Sequence, residues 1–476
     1  MKSMSGAMLA SASAAAMLVA LPAATALAND VYGPFPVTLK GYKGDKKNSV
    51  AYTGQIARHT LEKSIKKLAG AGNGKPNPEL KAQMMSYFKG KDAGRKIMDP
   101  TSKGKFVVKQ SMVDDISKGK NIAGKTYKGT VTGMPNNMTG VELVEFWIGK
   151  ASSANKGKDM ANGYDYGQLL SKFLMGAMAY NQAVDNYLDE KLTAGSKPND
   201  KPYGKGKHYT GKEHSWDEAF GYFGTPAHTL SLKPKDIYNI AKKKDLTAAD
   251  ANKDGKVDLK SEMAFGPAYY AAGFDASVYD TGNGTTYLST ITKAFVDGRK
   301  LIASAKGEKL TDAQRAKLQG YAKTIGDTWL TVWAEATYKY AGSVYKDMTK
   351  LKTIVEAKGN TSKVMKAYVK HWGELKGFSL AMQTGKENLG ETATKMNRLI
   401  GFGPLMLNNS QVVDIDSKGN YVRDQGPAWG EYMLHMAKLQ KLLVDKFGVK
   451  AKNNAISGDI AALAKKLGAG SGAEND

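Results

Sequence analysis

The residues Leu169, Leu170, Phe173, Leu174, Ala177, Met178, Tyr180, Ala183, Val184, Tyr187 and Leu188 repeat apolar side chains at helical spacing for about five turns. A stripe of that length is satisfied by a helix buried against other helices. The same spacing runs through residues 49–68, 141–148, 287–303, 364–382 and 432–447. The longest stretch opens at Thr311, whose hydroxyl is placed to cap a helix beginning at Asp312, and continues past Trp329 and Trp333 to Tyr345. Strand-like alternation is confined to short pieces at residues 106–108 and 129–132. The chain therefore reads as all-α, built of antiparallel helical bundles.

Gly, Pro and Lys collect at residues 70–78, 99–105, 195–211 and 404–426, where the helical spacing breaks. The breaks suggest a first bundle over residues 29–230, an insert over 231–265, a second bundle over 266–450, and a C-terminal helix with a fraying tail over 451–476. Residues 1–28 have the pattern of an export signal, with Lys2, a small apolar stretch and Ala26-Leu27-Ala28 as the cleavage site. The mature chain is expected in the periplasm, secreted, or on the cell surface.

Composition narrows the function by exclusion. With no Cys in 476 residues, disulfides, thiolate metal centres and Cys nucleophiles are ruled out. Lys and Arg number 69 against 45 Asp and Glu, a net +24, yet only Arg58, Arg95, Arg299, Arg315, Arg398 and Arg423 are arginine. Specific nucleic-acid readout favours the planar arginine fork, so no such partner is expected. Scattered lysines suit a salt-sensitive attraction to anionic envelope polymers or a lipid surface. Neither H-E-x-x-H nor its reversal occurs, and no Gly-x-Ser-x-Gly, so the chain is not expected to be a metallopeptidase or another enzyme. Residues 119–126 spell a P-loop string, but no apolar strand leads into Gly119 and no apolar-faced helix follows Thr126, so they read as a surface loop.

The insert carries the most specific motif, Asp250-Ala251-Asn252-Lys253-Asp254-Gly255-Lys256-Val257-Asp258-Leu259-Lys260-Ser261-Glu262. It has the oxygen-donor pattern of an EF-hand loop: acceptors at Asp250, Asn252 and Asp254, a turn at Gly255, the backbone carbonyl of Lys256, an apolar Val257, and Asp258. Helical candidates at residues 234–244 and 259–265 flank it. The bidentate acid of such loops belongs at the position of Ser261, whereas the acid here is Glu262. Either the exiting turn shifts so that Glu262 reaches the ion, which is favoured, or Ser261 and water complete the shell. Nearby lysines should weaken Ca2+ binding to about 0.1–1 mM, and the ion would brace the junction of the bundles.

Three of the six His are followed by an acid at i+3, the spacing that shares one helical face: His59/Glu62, His214/Asp217 and His371/Glu374. His59/Glu62 reads as a solvated pair. The other two sit in aromatic-rich helices, one in each bundle. His214, Asp217, His371 and Glu374 together would make an Fe or Zn site at the bundle interface; alternatively, each acid holds its own His in a Trp-rich core.

In order along the chain, residues 49–58, residues 168–188 with Gly176-Ala177 and Tyr180-Asn181-Gln182, residues 214–224, the EF-hand-like loop and His371-x-x-Glu374 resemble the exported, imelysin-like bacterial proteins of a domain-of-unknown-function family. The likeness spans residues 31–450. It implies a two-bundle helical fold with the site between bundles, a link to iron-regulated uptake, and His371 and Glu374 as metal ligands. The expected function is an exported calcium-binding protein linked to iron acquisition; the alternative is a polycationic, calcium-dependent structural or surface-matrix protein.

Overall fold

The computed structural model describes residues 31–281 and 284–469. The expected export signal and most of the expected fraying tail lie outside those residues. The architecture is all-α, as expected, with two small antiparallel sheets.

In chain order the helices are α1 (Thr53–Ala69), α2 (Pro78–Lys89), the single turn α3 (Val113–Ile116), α4 (Gly140–Ser153), α5 (Tyr166–Leu174), α6 (Gly211–Phe223) and α7 (Pro234–Lys242). After the insert come α8 (Gly266–Val278), α9 (Tyr287–Ser304), the 45-residue α10 (Asp312–Glu356), α11 (Ser362–Ala381), α12 (Gly390–Ile400), α13 (Trp429–Phe447) and α14 (Ile460–Leu467). The starts are written in local chemistry. Thr311 Oγ1 accepts from the Gln314 N–H at 3.2 Å while Gln314 Oε1 accepts from the Thr311 N–H at 2.9 Å, a reciprocal cap that fixes the first residue of α10. Thr210 and Glu213 make the same exchange at the head of α6. That helix ends at Gly224, whose φ of +69° closes it in the left-handed region.

The five-turn stripe is helical throughout but not uniform. Beyond α5 it widens into π-helical turns over Met175–Tyr180 and Gln182–Tyr187. The expected break at residues 404–426 instead holds the larger sheet, β3 (Ser410–Ile415) paired with β4 (Tyr421–Gln425), while β1 (Lys158–Asp159) and β2 (Tyr164–Asp165) form the smaller one. The helix expected at 259–265 is a turn, and α8 starts only at Gly266.

The two halves share one hydrophobic core that runs from Tyr32 to Ala451. Helix α5 packs on α11, and α6 packs on α1 and α9. Twelve of the thirteen residues of α6 are buried, so its charges must be met inside the protein. Lys212 donates to the carbonyls of Lys191, Thr193 and Ser196 at 2.5–2.7 Å. Arg299 from α9, fully buried, binds Asp217 at 2.9 Å, Glu213 at 3.2 Å and the Ser49 hydroxyl at 2.6 Å. Burial alone would lower the pKa of that guanidinium; Asp217 and Glu213 more than offset it, and the net shift is upward. Among the described residues no helix is long and apolar enough to cross a membrane.

Candidate functional site

Six helices from both halves enclose a polar cleft of about 610 Å3. Helix α1 contributes Glu62, Lys63 and Lys66, and α5 contributes Gln168, Ser171 and Lys172. The helices on either side of the EF-hand-like loop form a wall together: α7 supplies Tyr238 and Lys242, followed by Lys243, and α8 supplies Tyr269 and Tyr270. From the second half come Lys339, Tyr340 and Ser343 of α10 and Lys370, His371 and Glu374 of α11. Seven lysines thus face three carboxylates, the third being Asp99, which gives the cleft a positive field. Several ammonium groups lie over tyrosine rings: Lys242 is 5.1 Å from the Tyr269 centroid, Lys172 5.4 Å from that of Tyr270 and Lys339 5.8 Å from that of Tyr340.

The floor holds charge out of water. Glu374 is 5 % exposed and lies 3.9 Å from the Lys172 ammonium and 3.8 Å from that of Lys370, with Oε2 making no hydrogen bond. Glu62 is 1 % exposed, its Oε1 also has no hydrogen-bond partner, and burial raises its pKa. Burial lowers the pKa of Lys172 well below the usual lysine value, and neighbouring Lys66 adds to the effect.

The structure separates the His/acid pairs. His59 and Glu62 are both buried, not solvated. His59 stacks on Phe265 and donates from Nε2 to the Gly221 and Tyr222 carbonyls at 3.2 and 3.0 Å, while Glu62 lines the cleft. His214 lies between Tyr203 and Tyr209, 3.7 Å from Glu218 rather than on Asp217, and burial lowers its pKa to about 4. Both oxygens of Asp217 are committed, Oδ1 to Tyr32 and Arg299 and Oδ2 to the Ala51 N–H. His371 pairs through Nδ1 with Asp347 at 2.6 Å. Of the four residues expected to share an iron or zinc ion, only His371 and Glu374 face the cleft. Among the described residues no group of three or more His, Asp or Glu is arranged to hold a metal.

In the insert, Asp250 accepts from the N–H groups of Asp254 and Gly255, Asn252 from that of Asp254, and Asp254 from that of Lys256, so the first half of the loop wraps inward. Gly255, with φ +77°, makes the sharp turn expected of it. Glu262, not Ser261, faces the loop, where it accepts from the Ala251 and Asp258 N–H groups at 3.2 and 2.7 Å. Val257 pairs with the segment at Val107 and Lys109, and Gln110 clamps Asp258 and Leu259. The Lys109 ammonium lies 2.5 Å from Asp254, and Asp258 and Glu262 add to the field that raises its pKa. A lysine cation thus sits at the acidic face where the motif calls for calcium.

Residues 42–245 match a family described as DUF4856, a domain of unknown function. No curated protein and no solved structure matches the chain. The matched segment supplies the cleft residues of α1, α5 and α7 together with Asp99, Met175 and Lys243, and α8, α10, α11 and Asn454 complete the wall from beyond it. The likeness to imelysin-like proteins is carried by the sequence motifs alone.

Sequence reasoning named Glu62, His371 and Glu374 but missed Lys172, Tyr269, Tyr270 and Lys339. One signal was available: Lys172 falls within the apolar stripe of residues 169–188, where a charged side chain needs a reason.

Proposed function

We propose that the chain is an exported binding protein that takes a small anionic ligand in the cleft. The observation that carries the reading is the wall of seven lysines interleaved with four tyrosines around a cavity of small-molecule size. The Lys339 ammonium, its pKa lowered by burial, is costly to hold without a counter-charge, and an anion that replaces its lost hydration repays that cost. The test is calorimetric titration of the mature chain with small carboxylates and phosphates. Lys339→Ala and Lys370→Ala should each weaken binding by about tenfold, the worth of one charge-assisted hydrogen bond. Failure of every such anion to bind at millimolar concentration would remove the reading.

The EF-hand-like loop is proposed as a weak calcium site that braces the α7–α8 wall. The inward wrap of Asp250, Asn252 and Asp254 favours it; Lys109 competes with it. Lys109→Met should tighten calcium binding by about tenfold, since it removes a cation from the ligand shell. An unchanged calcium isotherm in that variant would mean that the loop is a braced turn. The proposal includes no iron or zinc site, because Asp217 is spent on Arg299 and His214 lies against Glu218.

A further inference from the structure

Three buried lysines of this protein differ in one respect. Lys212 is held by three backbone carbonyls, and Lys376 by the Asn397 side chain and the Gly401 carbonyl. Among the described residues no carbonyl or amide oxygen holds Lys172 in that way; its contacts are the Glu374 carboxylate at 3.9 Å, the faces of Tyr270 and Phe378, and the flanking Lys66. Lys66 is itself anchored at 3.1 Å on Gln168. The amine therefore sits at the floor of an open cavity beside two buried carboxyl groups that each keep one oxygen without a hydrogen bond. A lysine packed against a second lysine and removed from water has its pKa lowered, opposed in part here by Glu374 and Glu62, and a larger share of it is the neutral, nucleophilic amine.

We propose that Lys172 captures the carbonyl carbon of a small oxo acid as a reversible imine, with the ligand's carboxylate held by the lysines of the cleft wall. This rests on the reading of the cleft as an anion site. The Nζ lone pair attacks the carbonyl carbon, the C=O π pair moves to oxygen, and the Glu62 carboxyl protonates that oxygen. The Glu374 carboxylate takes the extra proton from nitrogen, leaving a neutral carbinolamine. Glu374 returns that proton to the hydroxyl, water leaves with the C–O pair as nitrogen forms the C=N bond, and the remaining N–H proton passes to Glu62, which regains its carboxyl. The sum is amine plus carbonyl giving imine plus water, with no oxidant or reductant. The tyrosine rings and the buried floor limit access of bulk water to the adduct.

The experiment is incubation of the mature full-length chain with pyruvate, glyoxylate or 2-oxoglutarate, reduction with sodium borohydride, and peptide mapping by mass spectrometry, beside calorimetry of the same acids without reductant. The expected result is a reduced adduct on Lys172 at an occupancy about tenfold or more above that of exposed lysines such as Lys309, because an ordinary lysine is almost wholly protonated at neutral pH. Saturating lactate, which has the carboxylate but a hydroxyl in place of the keto group, should protect Lys172, and Lys172→Arg should lose the adduct. If oxo acids bind in the calorimeter but Lys172 stays unmodified, or modification spreads evenly over surface lysines, the imine is overturned and the anion site stands. If neither the oxo acids nor phosphate bind, both fall. Because the decisive map is made on the unmutated chain, a variant that fails to fold leaves the test intact.

Discussion

At the scale of single residues, burial decides what each ionisable group does. His59 shows it most plainly. Both oxygens at its Nε2 are backbone carbonyls, which only accept, so Nε2 carries a hydrogen. Burial, opposed in part by the Tyr222 and Gly221 carbonyls, lowers its pKa to about 4. Between that value and the unfolded value near 6.5, the unfolded chain binds a proton that the folded chain refuses. The stabilisation is therefore complete above about pH 6.5 and is lost as pH falls through the window to 4, a change of about 3 kcal/mol from this group. Urea midpoints measured from pH 7 to pH 4 should fall accordingly. In His59→Gln the slope over that window should flatten, with lower stability at pH 7 because the amide cannot replace the ring stacked on Phe265. An unchanged slope in the variant would assign the acid sensitivity elsewhere.

At the scale of elements, what was legible in the sequence depended on whether local chemistry or tertiary contact set the outcome. The start of α10 was legible because Thr311 and Gln314 cap each other within one turn. The hairpin β3–β4 was not, because Ser410–Ile415 buries no regular alternate face, and Gly, Asn and Asp around it read as a break. The His/acid pairs misled for a related reason. The i, i+3 rule assumes one solvent face and one core face, but α6 is enclosed on nearly all sides, so Asp217 turns to Tyr32 and Arg299 on other elements and His214 is left against Glu218 of its own helix. Lys172 and Glu374 lie on helices far apart in sequence, and only the packing of α5 on α11 joins them. That packing is close where the π-helical turn at Gly176 meets Ala381: a Cβ on Gly176 would lie 2.7 Å from the Ala381 Cα. Gly176→Ala should therefore destabilise by about 1–3 kcal/mol through overpacking. Gly320, exposed within α10 with nothing near its Cβ position, gives the opposite case, and Gly320→Ala should stabilise by about 0.5–1 kcal/mol. Chemical denaturation of the pair checks both signs; two equal shifts would mean that the α5–α11 contact is looser than it looks.

At the scale of the whole molecule, the DUF4856 match ends at residue 245, but the hydrophobic core that holds its residues does not. Arg299 is the clearest link across that boundary. It neutralises Glu213 and Asp217 inside α6, reaches Ser49 ahead of α1, and lies 4.8 Å from the Phe35 ring. A fragment of residues 31–245 would keep both carboxylates and lose the guanidinium. Breaking a buried ion pair by removing one partner costs about 3–5 kcal/mol, a large share of the 5–15 kcal/mol that holds a typical domain. The same cut uncovers the face of α5 that packs on α11 and the face of α6 that packs on α9. The fragment should therefore keep helical circular dichroism but melt without a cooperative transition and bind hydrophobic dyes. The whole chain should instead unfold in one step, with far-ultraviolet dichroism and tryptophan fluorescence coincident, since Trp216 of α6 and Trp329, Trp333 and Trp372 of the second half lie in one core. A fragment that melts cooperatively with the stability of the whole chain would show that α9 and α11 lean on a finished domain instead of completing it. The cleft would then be an interface between two folded units, and its lysines would be free to move apart when the units separate.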